Sequence, residues 1–106
     1  MSRKDPRRRI VVTLSSAQRE LLRQAVLRSG RKGSLADRLR RIVTFELING
    51  LEDLGASAAT GSGLPLQLPH KLRVQIEHLA HDWRQTSSYV VQQALAQHVA
   101  RSALEG

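Results

Sequence analysis

Residues 9–15 read Arg-Ile-Val-Val-Thr-Leu-Ser, and residues 63–69 read Gly-Leu-Pro-Leu-Gln-Leu-Pro. Each stretch alternates in period two, the signature of a short strand with one face buried. In the first, Ile10, Val12 and Leu14 point one way, while Arg9, Val11 and Thr13 point the other. In the second, Leu64, Leu66 and Leu68 take the inner side, leaving Pro65 and Gln67 outside. Each strand then runs into a helical pattern. Ser15 or Ser16 is placed to cap a first helix with Leu21, Leu22, Ala25, Val26 and Leu27, stopped by Ser29-Gly30. Ser34 is placed to cap a second, striped by Leu35, Ala36, Leu39, Ile42, Val43 and Leu47, with Asn49-Gly50 offering an end that Leu51 and Leu54 would extend by a turn. Pro69 opens a third, with Leu72, Ile76, Leu79, Ala80 and Trp83 on one stripe. Ser88 is expected to cap a fourth, with Val90, Val91, Ala94, Leu95 and Val99 inward.

The two strings are copies of one pattern. Leu14 and Leu68 lie 54 residues apart (68 − 14), as do Ser34 and Ser88 (88 − 34). The same offset aligns Ile10 with Leu64, Val12 with Leu66, Leu22 with Ile76 and Ala25 with Leu79. In the last helix an offset of 55 fits better, setting Leu35, Ala36 and Leu39 on Val90, Val91 and Ala94. Between the copies lies Gly-Ala-Ser-Ala-Ala-Thr-Gly-Ser-Gly, a small uncharged stretch that reads as a flexible linker. The expected organisation is a basic arm over 1–8, a first repeat over 9–54, a linker over 55–62 and a second repeat over 63–106. One unit of about 45 residues has a lone strand and too little core to stand alone. Two units solve this by pairing their strands antiparallel over four helices, as one intertwined domain.

Composition narrows the chemistry. The chain has 106 residues, 17 Lys and Arg against 9 Asp and Glu, and a formal net charge of +8. Residues 1–54 hold 13 basic and 6 acidic groups, a net of +7; residues 55–106 hold 4 and 3, a net of +1. There is no cysteine, so disulfides, thiolate metal sites and cysteine nucleophiles are excluded. No apolar run reaches the roughly 20 residues that span a bilayer, and no apolar stretch backs the basic N-terminus as in a secretory signal. His78 and His81 sit one helical turn apart without a third ligand, so neither metal nor cofactor is expected. Nothing resembles a nucleophile–base pair, and an enzyme is not expected. Gly30-Arg31-Lys32-Gly33 has the spacing of an RNA-clamping GxxG loop, but lacks the three strands that such domains need. A strongly basic chain without these features has polyanions as its natural partners.

The sequence of strand, Leu-Ser or Leu-Pro, helix, Gly or polar turn, then Thr86-Ser87-Ser88-Tyr89-Val90-Val91-Gln92-Gln93-Ala94-Leu95 resembles the ribbon-helix-helix family of Arc/MetJ-type DNA-binding proteins. The likeness spans residues 9–104, in a tandem single-chain form. The resemblance implies a mainly α fold: two ribbon-helix-helix repeats forming an intramolecular pseudo-dimer, with a two-stranded antiparallel ribbon and four helices. It implies sequence-specific binding of double-stranded DNA, with the ribbon in the major groove, as in a transcriptional repressor. The base-reading positions would be Arg9, Val11, Thr13, Pro65 and Gln67, with Arg9 suited to guanine and Gln67 to adenine. Phosphate contacts would come from the arm (Arg3, Lys4, Arg7, Arg8), from Arg31, Lys32, Gly33 and Ser34, and from Ser87 and Ser88, the latter groups at the starts of the second helices. It further implies a cytoplasmic, nucleoid-associated protein of prokaryotic or mobile-element origin, with self-association of pseudo-dimers on adjacent sites. Two other roles are compatible: a relaxosome or partition accessory factor of a plasmid, and an antitoxin or protein-interaction module. Because Pro65 lacks an N–H and Gly63 stands where the first copy has Arg9, readout is expected to be lopsided.

Overall fold

A computed structural model describes residues 9–30, 33–55 and 61–105, with the side chains of Arg9, Ser29, Ser62 and residues 102–105 outside that description. Among the described residues the fold is mainly helical with one small sheet. The order is β1 (Arg9–Leu14), α1 (Ser16–Ser29), α2 (Leu35–Asn49), β2 (Ser62–Gln67), α3 (His70–Trp83) and α4 (Ser87–Glu105). β2 begins one residue inside the stretch read as linker.

The strands pair antiparallel, with Arg9 opposite Gln67, Val11 opposite Pro65 and Thr13 opposite Gly63. The central pair, Val11 and Pro65, is itself related by the 54-residue offset (65 − 11). The alternation read from the sequence holds: Val12, Leu14, Leu66 and Leu68 are buried, and Ile10 and Leu64 pack against them. Val11 is 58% exposed on the opposite face.

Beneath the sheet, Leu22, Leu39, Ile42, Val43, Ile76, Ala80, Val90, Val91, Ala94 and Leu95 complete an aliphatic core. Removing this surface from water is the main source of stability, at about 25 cal/mol per Å² of apolar area. The packing is crossed. β1 lies on α4 and β2 lies on α2, so each strand rests on the second helix of the other half, and α2 and α4 pack on each other.

Local chemistry sets the helix ends. Ser15 caps α1 in a reciprocal capping box with Gln18, and Gly30 ends it in the left-handed conformation at φ 70°. Ser34 caps α2 by accepting from the Asp37 N–H at 3.0 Å. The fourth helix differs from the sequence expectation. It starts at Ser87, and Thr86 rather than Ser88 accepts the Tyr89 N–H, at 3.0 Å. Ser88 sits inside the first turn with its hydroxyl turned to β1. α2 also ends at Asn49, and residues 51–55 add no turn. They pass alongside α4, where Gln97 accepts the Glu52 N–H and Gln93 accepts the Leu54 N–H, each at 3.0 Å. The Tyr89 hydroxyl donates to Asp53 Oδ1 at 2.6 Å, which holds the phenol above its ordinary pKa.

Among the described residues one charged group lies fully inside. Glu46 of α2 has no solvent exposure. Its carboxylate accepts from Arg101 at 2.9 Å and from the Gln97 amide at 2.7 Å, and lies 3.2 Å from His98 Nδ1. Burial pushes the Glu46 carboxyl up, but hydrogen bonds from Arg101, Gln97 and His98, with the charge of Arg101, outweigh it and hold it below the usual range. Glu46 and Arg101 are related by the 55-residue offset of the second helices (101 − 46).

Candidate nucleic-acid interface

The exposed face of the sheet is small, and its side chains are those singled out by alternation. Val11, Pro65 and Gln67 are exposed and Thr13 is half-buried; Gly63 presents backbone. Arg9 takes its place in β1 opposite Gln67, while its side chain lies outside the described residues. A side chain could not replace the hydrogen of Gly63 without moving Val11, whose Cγ1 would stand 2.7 Å from the added Cβ. At Gly61 the constraint is harder, because a Cβ would come within 2.1 Å of the Leu14 carbonyl oxygen. Gly61 and Gly63, at the entry to β2, are therefore kept bare by the closeness of β1. Pro65 is compatible with the sheet because in a pair of strands each has an outer edge that needs no partner.

Those outer edges are covered by side chains. On β1, the Thr13 N–H donates to the Ser88 hydroxyl at 3.0 Å, and the Gln92 amide donates to the Thr13 carbonyl at 2.5 Å. On β2, Arg19 donates to the Gly63 carbonyl at 3.3 Å. Covering an edge blocks pairing with other chains and fixes the ribbon on its helices.

Basic residues flank both ends of the ribbon. Arg19 of α1 stands at Gly63. At the far end a cleft of about 610 Å³ is lined by Arg40, Gln67, Leu68, Pro69, His70 and Arg73. Arg40 pairs with Asp37. Arg73 lies 3.0 Å from His70 Nδ1 and 3.8 Å from Glu77. Arg19 and Arg73 are 54 residues apart (73 − 19), so a basic side chain recurs in the first turns of α1 and α3. That recurrence is readable from the sequence as a repeat of charge, though the apolar repeat alone does not reveal it.

The two helix starts expected to hold phosphate are unlike. At α2, Gly33 and Ser34 are exposed, but Asp37 occupies the first turn and pairs with Arg40 and Arg41. A carboxylate there already meets the positive end of the helix dipole and opposes a second anion. At α4, the first turn carries no acidic residue. Ser87 and Ser88 are half-buried beside Thr13, and the Ser88 hydroxyl is engaged by β1. Arg31, Lys32 and the arm residues Arg3, Lys4, Arg7 and Arg8 lie outside the described residues.

Among the described residues no group of three or more His, Cys, Asp or Glu could hold a metal ion, and no helix is long and apolar enough to cross a membrane. No family model matches the chain, and neither a curated protein nor a solved structure matches it.

Proposed function

We propose that this chain is a tandem ribbon-helix-helix protein that binds double-stranded DNA in a sequence-dependent way and acts as a transcriptional repressor. On this reading the two halves form an intramolecular pseudo-dimer whose pseudo-two-fold axis passes between Val11 and Pro65. The crossed packing of β1 on α4 and β2 on α2 supports it, as does the pairing of offset-related residues at the ribbon centre.

The observation that carries the DNA reading is the exposed face of a two-stranded ribbon set between basic side chains. A two-stranded ribbon fits the roughly 12 Å major groove of B-DNA. Thr13 and Gln67 bring hydrogen-bonding groups to that face, Val11 brings an apolar contact for a thymine methyl, and Arg9 adds a guanine reader at the ribbon end. Arg19, Arg73 and Arg40 supply positive charge where the two phosphate backbones would run, and the basic arm extends it. The acid-free first turn of α4, beside Thr13, is the better placed of the two helix starts for a phosphate.

Duplex binding tests this directly. Fluorescence anisotropy with duplexes selected from a random pool should show affinity falling steeply with salt, log K against log [salt] having a slope of about −0.9 per phosphate neutralised. A flat salt dependence, or equal affinity for selected and random duplexes, would refute the reading.

A further inference from the structure

A second cleft, of about 270 Å³, lies between α2 and α4 and is lined by Arg38, Arg41, Ile42, Phe45 and His98. No ribbon residue lines it. Its His98 wall lies ten residues along α4 from Ser88, or about 15 Å at 1.5 Å per residue from the contact with Thr13. It therefore lies outside the DNA-reading face and plays no part in the function proposed above.

The lining combines two kinds of surface. Arg38, Arg41, Ile42 and Phe45 follow the i, i+3, i+4, i+7 spacing of one helix face. Two guanidinium groups are thus placed beside an aliphatic and an aromatic side chain. The Arg38 Nε is buried and has no hydrogen-bond partner among the described residues. A buried cationic donor without an acceptor is costly, and an anionic acceptor relieves that cost. Arg41 reaches Asp37 only at 3.5 Å from a half-exposed position. Phe45, 45% exposed, meets His98 edge-on with ring centroids 6.3 Å apart. His98 is held by Glu46 through Nδ1, at 3.2 Å.

We infer that this cleft binds a small organic oxyanion: a carboxylate or phosphonate carried on a compact apolar body, with the anion on Arg38 and Arg41 and the body against Phe45 and Ile42. Size argues against a macromolecular occupant. A helix about 10 Å across does not enter a space of this volume. A bare phosphate, whether free or in a DNA backbone, leaves the Phe45–Ile42 wall unused. Because α2 and α4 belong to different halves, such a ligand bridges the two halves.

The test is an NMR titration of the full chain, following the Arg38 Nε–H resonance, identified by its loss in Arg38→Lys. The probes are phenylphosphonate, inorganic phosphate and benzyl alcohol. Phenylphosphonate should give a saturable shift, with at least five-fold tighter binding than inorganic phosphate, and benzyl alcohol should give none. Arg41→Gln, at a half-exposed position that leaves the core intact, should weaken phenylphosphonate at least five-fold, and Phe45→Ala should reduce its advantage over phosphate. Circular dichroism checks that each variant is folded. No saturable shift, an equal response to the neutral alcohol, or unchanged affinity in folded Arg41→Gln would overturn the inference. Equal affinity for inorganic phosphate would also overturn it, as the mark of a bare phosphate site.

Discussion

The two halves repeat one pattern of apolar residues and differ in nearly everything polar. The first strand turns Val11 and Thr13 to the outer face, with Arg9 at its start; the second presents Gly63, Pro65 and Gln67. The second helix of the first half carries Arg38, Arg40 and Arg41. At an offset of 55, the fourth helix carries Gln93, Leu95 and Ala96 in their place. The amides of α4 hold other parts of the chain: Gln92 holds the Thr13 carbonyl, Gln93 the Leu54 N–H, and Gln97 both the Gly50 carbonyl and Glu46. A chain whose halves are covalently joined is free to specialise them, because neither must match a copy of itself. One half keeps the charge, and the other secures the fold.

The buried Glu46–Arg101 pair shows that freedom most directly. In a pairing of two identical halves, offset-equivalent positions on the second helices would meet as Glu on Glu or Arg on Arg. Here opposite charges meet, so the pair favours the association of unlike halves. Glu46→Ala should destabilise the fold by about 3 kcal/mol, at the lower end for a broken buried ion pair because Arg101 keeps some access to water. Urea denaturation measures this. The exchange Glu46→Arg with Arg101→Glu should recover part of what either single change loses. An exchange no better than the singles would mean that packing, and not charge, selects the partner.

The reading strands should separate next. Thr13→Ala should cost about 1–3 kcal/mol of discrimination at one base position if its hydroxyl makes a base contact, as should Gln67→Ala at another. Val11→Ala should cost less, since only an apolar contact is lost. Competition with singly altered duplexes measures each. Equal, position-independent losses would place these residues on the backbone.

Gln92→Ala should destabilise by about 1 kcal/mol in denaturation, by leaving the Thr13 carbonyl without its donor. Acid should act on the same framework. The folded-state pKa of Glu46 is lowered, so its contribution is fully present above the unfolded value near 4.5 and is lost as pH falls through the folded one. Glu46→Gln should flatten that acid limb of the stability–pH curve, as measured by urea denaturation from pH 7 downward. Tyr89→Phe, at the surface contact with Asp53, should have the smallest effect on Tm.

The strands, the order of the helices, the aliphatic core and the caps at Ser15 and Ser34 are legible because each is set by local spacing. What escapes is set by partners distant in sequence. Glu46 lies on the apolar stripe of α2, at i+4 from Ile42 and i+3 from Val43, but no nearby residue names Arg101, His98 and Gln97 of α4 as its partners. Thr86 and Ser88 are equally good caps by type; the edge of β1 decides by engaging Ser88. Leu51 and Leu54 extend an apolar stripe on paper, yet Gly50, at φ 92°, turns the chain out of the helix and α4 takes up its backbone. In the candidate interface, alternation was enough to mark Val11, Thr13, Pro65 and Gln67. Arg40 joins Gln67 and Arg73 only through the crossing of α2 under β2, which no local pattern encodes.

The central claim is that one face of the ribbon reads DNA, and does so unequally. Systematic base substitution across a selected duplex, with Kd measured for the unaltered chain at fixed salt, tests it most directly. The account predicts that costly positions cluster on the side of the site's centre that faces the Arg9–Gln67 end of the ribbon, opposite the Thr13–Gly63 end, and that Gln67→Ala relaxes that side alone. A palindromic site with equal costs on both sides, or discrimination untouched by Thr13→Ala and Gln67→Ala together, would contradict it.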